Sequence, residues 1–241
     1  MKPTKSTQIF LTILAFIGTI VFTSCSSNNN DIEEQELSEI VMKNFVEDIK
    51  NMAVPSNLSN SQNQYAQQAN AQFEFLKTIG SSYATLFTVP TNAVAAKLSR
   101  KFAGKSNSFT SKTYTWSANG TSITYTITEN SDRYSFTYNI VSSDFTGKFM
   151  DGYQLKDGSY AEVSLYANNQ TVSTIKWWVT NEITKIQFEA DNNKLVLELN
   201  TSDNSGSIKV YESSFLSALF KWNANGTGSY TDYNTNETYT W

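Results

Sequence analysis

The feature that most constrains this chain is a change in the spacing of its large apolar residues near Lys112. Before this point apolar residues recur every three or four positions, which is the period of a helix face. After it they alternate with polar residues, which is the period of a strand. Asn119-Gly120 supplies the residues that a two-residue type I′ hairpin turn favours, and we expect a second tight turn at Asn130-Ser131. The stretch that begins at Lys112 therefore predicts successive antiparallel hairpins.

Both turns, chosen independently, place the large apolar residues on one face of the predicted sheet. The first turn pairs Trp116 with Ile123 and Tyr114 with Tyr125. The second turn gives three further pairs, which are Ile127 with Tyr134, Tyr125 with Phe136, and Ile123 with Tyr138. A slip of one residue at either turn would move these side chains to the opposite face. The predicted buried face consists of Tyr114, Trp116, Ile123, Tyr125, Ile127, Tyr134, Phe136 and Tyr138.

The predicted meander continues to the end of the chain, although its alternation becomes less regular. Further turns are predicted at Asp157-Gly158, at Asn192-Asn193 and near Thr235-Asn236. The turn at Asn192-Asn193 would pair Ala190 with Leu195, Phe188 with Leu197, and Ile186 with Leu199. Trp177 and Trp178 are adjacent, so they must lie on opposite faces of their strand. Residues 105–241 are therefore predicted to form an antiparallel sheet region.

Residues 32–104 show the helical spacing instead. Between Ile32 and Met52 the predicted helix stripe consists of Leu37, Ile40, Val41, Phe45, Ile49 and Met52. Ser61 and Gln64 form a capping-box pattern that would open a second helix, and Gly80 would end it. A third helix is predicted from about Asn92 to Ala103. The whole pattern predicts an α+β fold, in which three N-terminal helices pack on a large, curved antiparallel meander of about 10–11 strands as one compact unit.

The start of the chain has the pattern of a secretory signal. Lys2 and Lys5 precede a mostly apolar run over residues 9–22, which ends in small residues. The run is short for a transmembrane helix. We therefore predict that residues 1–24 are a cleaved signal peptide and that residues 25–31 are a tether.

The motif Phe22-Thr23-Ser24-Cys25 resembles the lipobox of bacterial lipoproteins, although Phe22 stands where leucine is more usual. The resemblance implies cleavage before Cys25, which would carry a covalent diacylglycerol and an N-acyl lipid, palmitate among the possible acyl chains. Cys25 is the only cysteine of the chain. In that class Ser26 favours sorting to the outer membrane, with the periplasmic or the surface-exposed side left open. The implied partner is a membrane, reached through the lipid anchor.

Composition excludes several kinds of chemistry. The chain has no histidine, which excludes Ser-His-Asp triads, histidine metal sites and imidazole acid–base catalysis. The net charge is −4, and removal of Lys2 and Lys5 with the signal peptide makes it −6, so no nucleic-acid partner is expected. We predict no catalytic residues, no metal and no cofactor other than the lipid on Cys25.

Three functions stay open at this point. The first is a non-enzymatic envelope lipoprotein that acts as a binding or structural module for a glycan, lipid or protein. The second is a carrier of an apolar ligand in a half-barrel under the helices, which requires a hollow where Leu37, Phe45, Phe73 and Leu76 would otherwise fill the interior. The third is a glycan hydrolase that uses two of the carboxylates Asp144, Asp151, Asp157 and Glu162.

Tyrosine and tryptophan exceed what one core requires, because several lie outside the predicted buried face. Such rings supply flat contact area with a polar group attached, and they are common at binding surfaces. The candidate binding residues are Tyr160, Tyr166, Trp178, Tyr211, Tyr230 and Tyr233.

Overall fold

The structure is a computed structural model, and it describes Leu37 and residues 41–96, 110–118 and 120–241. The predicted signal peptide, the tether and Cys25 lie outside the described residues. So do residues 97–103 of the predicted third helix.

The described chain contains three helices and thirteen strands. The helices are α1 (Lys43–Asn51), α2 (Ser56–Ser59) and α3 (Gln64–Thr85). The strands are β1 (Val94–Ala95), β2 (Thr110–Ala118), β3 (Thr121–Glu129), β4 (Arg133–Val141), β5 (Thr146–Leu155), β6 (Tyr160–Ala167), β7 (Gln170–Val179), β8 (Ile183–Ala190), β9 (Asn193–Asn200), β10 (Gly206–Glu212), β11 (Phe215–Trp222), β12 (Gly228–Asp232) and β13 (Glu237–Thr240). All thirteen strands belong to one sheet, in which each strand pairs with the next along the chain.

The predicted α+β fold, with three helices packed on a curved meander of about 10–11 strands, was wrong. Most of the described chain forms a single thirteen-stranded sheet, with 52% of the described residues in strands and 18% in helices. Where the third helix was expected, Val94 pairs with Thr115 and Ala95 with Tyr114 as a short strand. Strand β1 was not foreseen because its two residues are too few to show alternation.

The predicted pairing of β2 with β3 is confirmed, since Tyr114 pairs with Tyr125 and Trp116 with Ile123. Gly120, in the turn between them, has a φ of 77°, the left-handed conformation that a type I′ turn requires. The predicted pairing of β3 with β4 was displaced by two residues. The observed pairs are Ile127 with Phe136, Tyr125 with Tyr138, and Ile123 with Ile140.

The displacement arises because the turn occupies Ser131-Asp132 rather than Asn130-Ser131. A turn moved by one residue shifts the pairing by two, which leaves every side chain on its predicted face. Seven of the eight predicted core residues are accordingly buried, and Tyr134 is half-buried. The hairpin of β8 and β9 shows a displacement of the same size in the opposite direction, because its turn is Asp191-Asn192 rather than Asn192-Asn193, and Phe188 pairs with Leu195.

The buried face of the sheet shares one hydrophobic core with residues of α1 and α3. The ring of Phe45 stacks on that of Trp177 with centroids 3.4 Å apart. The hydroxyls of Tyr83 and Ser173 form a hydrogen bond of 2.7 Å. We call this side of the sheet the inner face and the opposite side the outer face.

Two details of the predicted second helix differ from the structure. The backbone N–H of Tyr65 donates to Asn63 Oδ1 at 2.9 Å, so Asn63 rather than Ser61 caps α3. Gly80 does not end the helix, which continues to Thr85. A Cβ at Gly80 would collide with Ile49 Cδ1, so this glycine allows α1 and α3 to approach closely.

Candidate functional site

The strongest candidate for a functional site is the outer face of the sheet. Trp177 and Trp178 lie on opposite faces, as predicted: Trp177 is 2% exposed on the inner face, whereas Trp178 is only half-buried. The strand register shows which residues lie beside Trp178 on the outer face. Trp178 pairs with Tyr160 on one side and with Lys185 on the other. The outer face therefore carries aromatic and charged side chains at neighbouring positions.

Three partly exposed rings lie side by side on this face. The Tyr160 ring centroid is 5.6 Å from that of Tyr153 and 5.3 Å from that of Trp178. A cation lies over each end of the series. The guanidinium of Arg133 lies 4.7 Å from the Tyr153 ring centroid, and Lys185 Nζ lies 4.8 Å from that of Trp178. We call Tyr153, Tyr160 and Trp178 the aromatic row.

The hydroxyl of Tyr160 is fixed within this row. It donates to Glu162 Oε2 at 2.7 Å, and Lys176 Nζ lies 3.5 Å from the same oxygen. Burial and the Glu162 carboxylate both raise the pKa of Tyr160 above its ordinary value. The phenol therefore stays protonated at neutral pH and acts as a hydrogen-bond donor.

The other predicted binding residues do not all join the row. Tyr166 lies on the outer face, where its hydroxyl donates to Asp151 Oδ1 at 2.9 Å. Tyr211 is also on this face, with Lys194 Nζ 4.1 Å from its ring centroid. The six candidate rings do not form one patch, because Tyr230 and Tyr233 lie elsewhere.

Tyr230 lies on the inner side of the sheet, near its last edge. Its ring centroid is 5.0 Å from that of Tyr65 in α3 and 4.9 Å from that of Phe220. Tyr233 lies in the turn between β12 and β13, and its N–H donates to the carbonyl of Ser217 at 2.9 Å. Both residues are therefore explained by packing and turn formation.

Sequence reasoning missed Tyr153, the third ring of the row. Strand β5 carries large residues on both faces, and the register shifts between Tyr138 and Asn139 of its neighbour, so that Phe149 is an extra residue in β5. A bulge of this kind breaks the two-residue period. The side of the sheet on which Tyr153 lies could therefore not be predicted from the residues that precede it.

Next to the aromatic row, β2 to β4 carry rows of small hydroxyl residues on the outer face. Thr113 pairs with Thr126, which pairs with Thr137. The hydroxyls of Thr113 and Thr126 form a hydrogen bond of 3.0 Å. A second row of the same kind consists of Ser111, Thr128 and Ser135. These positions give the outer face an uncharged, hydroxyl-rich part beside its aromatic part.

Two of the four carboxylates considered for a hydrolase lie far apart. Asp144 lies in the loop before β5 and Asp157 in the loop after it, so a ten-residue strand, about 33 Å long, separates them. Hydrogen bonds from Ser159 hold the pKa of Asp157 below its ordinary value, which does not suit a general acid. Asp151 and Glu162 lie on the outer face and are engaged by Tyr166 and Tyr160.

Within the described residues, the interior is packed at the positions where an apolar carrier requires a hollow. Phe45, Phe73 and Leu76 are buried within the core, and Leu37 is partly buried against it. A depression of about 310 Å³ lies instead at the turn ends of β7 to β9, where Glu189 and Lys194 are among its lining residues. This packing does not favour the carrier function.

The described residues place limits on two other kinds of site. They contain no group of three or more side chains suited to hold a metal ion. Among the same residues, no helix combines the length and apolar character needed to cross a membrane.

Comparison with protein-family models, with curated proteins and with solved structures gives no match.

Proposed function

We propose that this protein is a lipid-anchored, non-enzymatic lipoprotein of the cell envelope that binds polysaccharide on the outer face of its sheet. The observation that carries the proposal is the aromatic row, in which Tyr153, Tyr160 and Trp178 are contiguous and partly exposed. The opposite face of the same strands is packed in the core. The row therefore has no role in the main core, and its exposed ring surface is available to a partner.

The chemistry of the face fits a sugar polymer. The apolar C–H surface of a sugar ring packs against aromatic rings, and its hydroxyls require donors and acceptors at the edge of that contact. The Tyr160 hydroxyl and the Glu162 carboxylate supply these groups within the row. The hydroxyl rows on β2 to β4 extend the polar surface beyond it. An open sheet face also accommodates a long chain, which a closed pocket does not.

The aromatic row is held in place before any ligand binds. Arg133 and Lys185 lie over its two ends, and the phenol of Tyr160 is fixed by Glu162. Rings that are already ordered lose little side-chain entropy on binding, so more of the contact energy appears as affinity. The geometry thus favours binding over a purely structural use of the rings.

The test is affinity electrophoresis of the full chain, in non-ionic detergent, through gels that contain soluble polysaccharides. We expect retardation by at least one polymer, and we expect Trp178→Ala and Tyr160→Ala each to weaken it about tenfold or more, as for truncation of a central aromatic contact. Tyr233→Ala is the matched control, because Tyr233 lies in a turn away from the row, and it should bind like the unmodified protein.

Two results would contradict the proposal. One is the absence of retardation in every polysaccharide gel. The other is equal retardation of Trp178→Ala and the unmodified protein in a gel that does retard the protein.

A separate prediction concerns the anchor. Cys25→Ala removes the only thiol of the chain, and hence the acceptor for the lipid, so the variant should leave the membrane pellet on cell fractionation and appear in the soluble periplasmic or secreted fraction. Its circular dichroism spectrum should match that of the lipidated protein. Ser26→Ala is the control and should remain in the pellet. Equal membrane retention of Cys25→Ala would show that the anchor is not a lipid on this residue.

A further inference from the structure

The outer face is opposite in charge to the chain as a whole. The chain has a net charge of −4. On the outer face, the strand positions from β4 to β11 carry more cations than anions. The cations are Arg133, Lys148, Lys176, Lys185, Lys194, Lys209 and Lys221, and the anions are Asp151, Glu162, Glu189 and Glu198. Basic residues are thus concentrated on the face that carries the aromatic row.

The excess of basic over acidic residues is greatest around Glu198. Lys185 Nζ and Lys209 Nζ lie 3.7 and 3.6 Å from the same oxygen, Glu198 Oε1. Glu198 pairs with Ser207 in the sheet, and Ser207 pairs with Lys221. Lys221 is exposed and forms no ion pair with a described residue. We call Lys185, Lys209 and Lys221 the lysine cluster, in which two ammonium groups share one carboxylate and the third forms no ion pair with a described residue.

The lysine cluster is continuous with the aromatic row. Lys185 belongs to the cluster and also lies over the Trp178 ring. A chain that lies across the strands from Tyr153 to Trp178 would therefore reach the ammonium groups within a few sugar units, since neighbouring strands are about 4.8 Å apart. The two features form one surface that is aromatic at one end and basic at the other.

We propose that the polysaccharide bound by this protein is acidic, with carboxylate, sulfate or phosphate groups that contact the lysine cluster while its sugar rings pack on the aromatic row. This inference rests on the proposed function and adds the charge of the ligand to it. The proposal is based on charge complementarity, because an anionic group of the ligand would compensate the positive charge of the lysines that Glu198 alone does not neutralise. Such contacts are partly exposed to solvent, so added salt weakens them.

The same charge would attract the surface of an anionic bilayer, but the face is not uniformly basic. Asp151, Glu162 and Glu189 lie among the lysines on this face. They would repel a continuous layer of anionic headgroups. A polysaccharide carries its charges at separated positions, so it can place them on the lysine cluster and neutral sugar surface elsewhere. The mixed surface therefore favours the polymer.

The experiment compares polymers that share a backbone and differ in charge. The pairs are polygalacturonate with its fully methyl-esterified form, dextran sulfate with dextran, and carboxymethyl-cellulose with hydroxyethyl-cellulose. We expect the full chain to bind the acidic member of at least one pair about tenfold more tightly, and we expect 0.5 M NaCl to reduce that preference. The double variant Lys209→Gln/Lys221→Gln should lose the preference. Lys43→Gln/Lys50→Gln, which makes the same charge change on α1, should keep it.

The outcomes separate this inference from the proposed function. Equal binding of the acidic and neutral members would overturn the inference and leave polysaccharide binding in place. Binding to neither member of any pair would overturn both. Stronger binding to vesicles that contain anionic lipid than to any polymer, with loss in Lys209→Gln/Lys221→Gln, would assign the lysine cluster to a membrane surface. Thermal unfolding followed by circular dichroism identifies any variant that fails to fold.

Discussion

Trp177→Ala should lower the free energy of unfolding by about 3–5 kcal/mol, the usual cost of truncating a buried aromatic residue. Trp177 is 2% exposed, and its ring stacks on that of Phe45. Its cross-strand neighbours are Ala161 and Ile186. The substitution leaves a cavity between the sheet and α1 that these side chains cannot fill. Because small domains are stable by only about 5–15 kcal/mol, the loss is a large part of the total.

The adjacent Trp178 provides the matched control. Trp178→Ala removes the same number of atoms from a half-buried site on the outer face, so it should cost much less stability while it weakens polysaccharide binding. Urea unfolding of both variants, followed by tryptophan fluorescence and circular dichroism, measures the difference from the midpoints and slopes. Equal losses of stability in the two variants would show that the Trp177 ring is not part of the core.

The assignment of residues to faces could be predicted from the sequence because the two-residue period is a local property of each strand. Trp116 and Tyr125 are on the inner face as expected, and Thr115 and Thr124 are not buried. The cross-strand register depends in addition on the turn, which the sequence specifies less sharply. In the turn of β8 and β9 both Asp191 and Asn192 have positive φ. Asn and Asp tolerate this conformation more readily than other residues with side chains, so several neighbouring positions are compatible with the turn.

The fold class could not be predicted in the same way, because it depends on how many segments of the chain join the sheet as strands. Val94 is 67% exposed, and the two-residue strand to which it belongs has no periodic pattern of its own. Its place in the sheet is decided by pairing with Thr115 and Tyr114. These contacts are tertiary, and tertiary contacts override the helical spacing of the local sequence.

The candidate site was predicted only in part, because residue type alone does not show which face of the sheet the helices cover. Tyr160 and Trp178 were found because they lie outside the predicted buried face. Tyr230 has the same residue type but stacks on Tyr65 from α3. Aromatic excess alone does not separate a ring that binds a ligand from a ring that packs under a helix. The distinction requires knowledge of which face the helices cover.

Gly152→Ala should lower the free energy of unfolding by about 3 kcal/mol, at the upper end of the cost of overpacking. A Cβ at this position would collide with the backbone carbonyl of Glu162 and come within 2.8 Å of the Phe136 ring. The carbonyl belongs to the neighbouring strand of the sheet, so it cannot rotate away as a side chain could. Relief therefore requires β5 to move.

Gly158→Ala is the control for this prediction, because Gly158 has a φ of 73° but an added Cβ meets only Asn44 Nδ2, at 3.9 Å. Its cost should be about 1–2 kcal/mol, the strain of a left-handed residue with a side chain, so a larger loss in Gly158→Ala than in Gly152→Ala would contradict the packing argument. The two variants should also differ in binding. Gly152 immediately precedes Tyr153, whose ring lies 5.6 Å from that of Tyr160, so a displaced β5 separates the aromatic row. Affinity electrophoresis should therefore show weaker polysaccharide binding for Gly152→Ala and unchanged binding for Gly158→Ala.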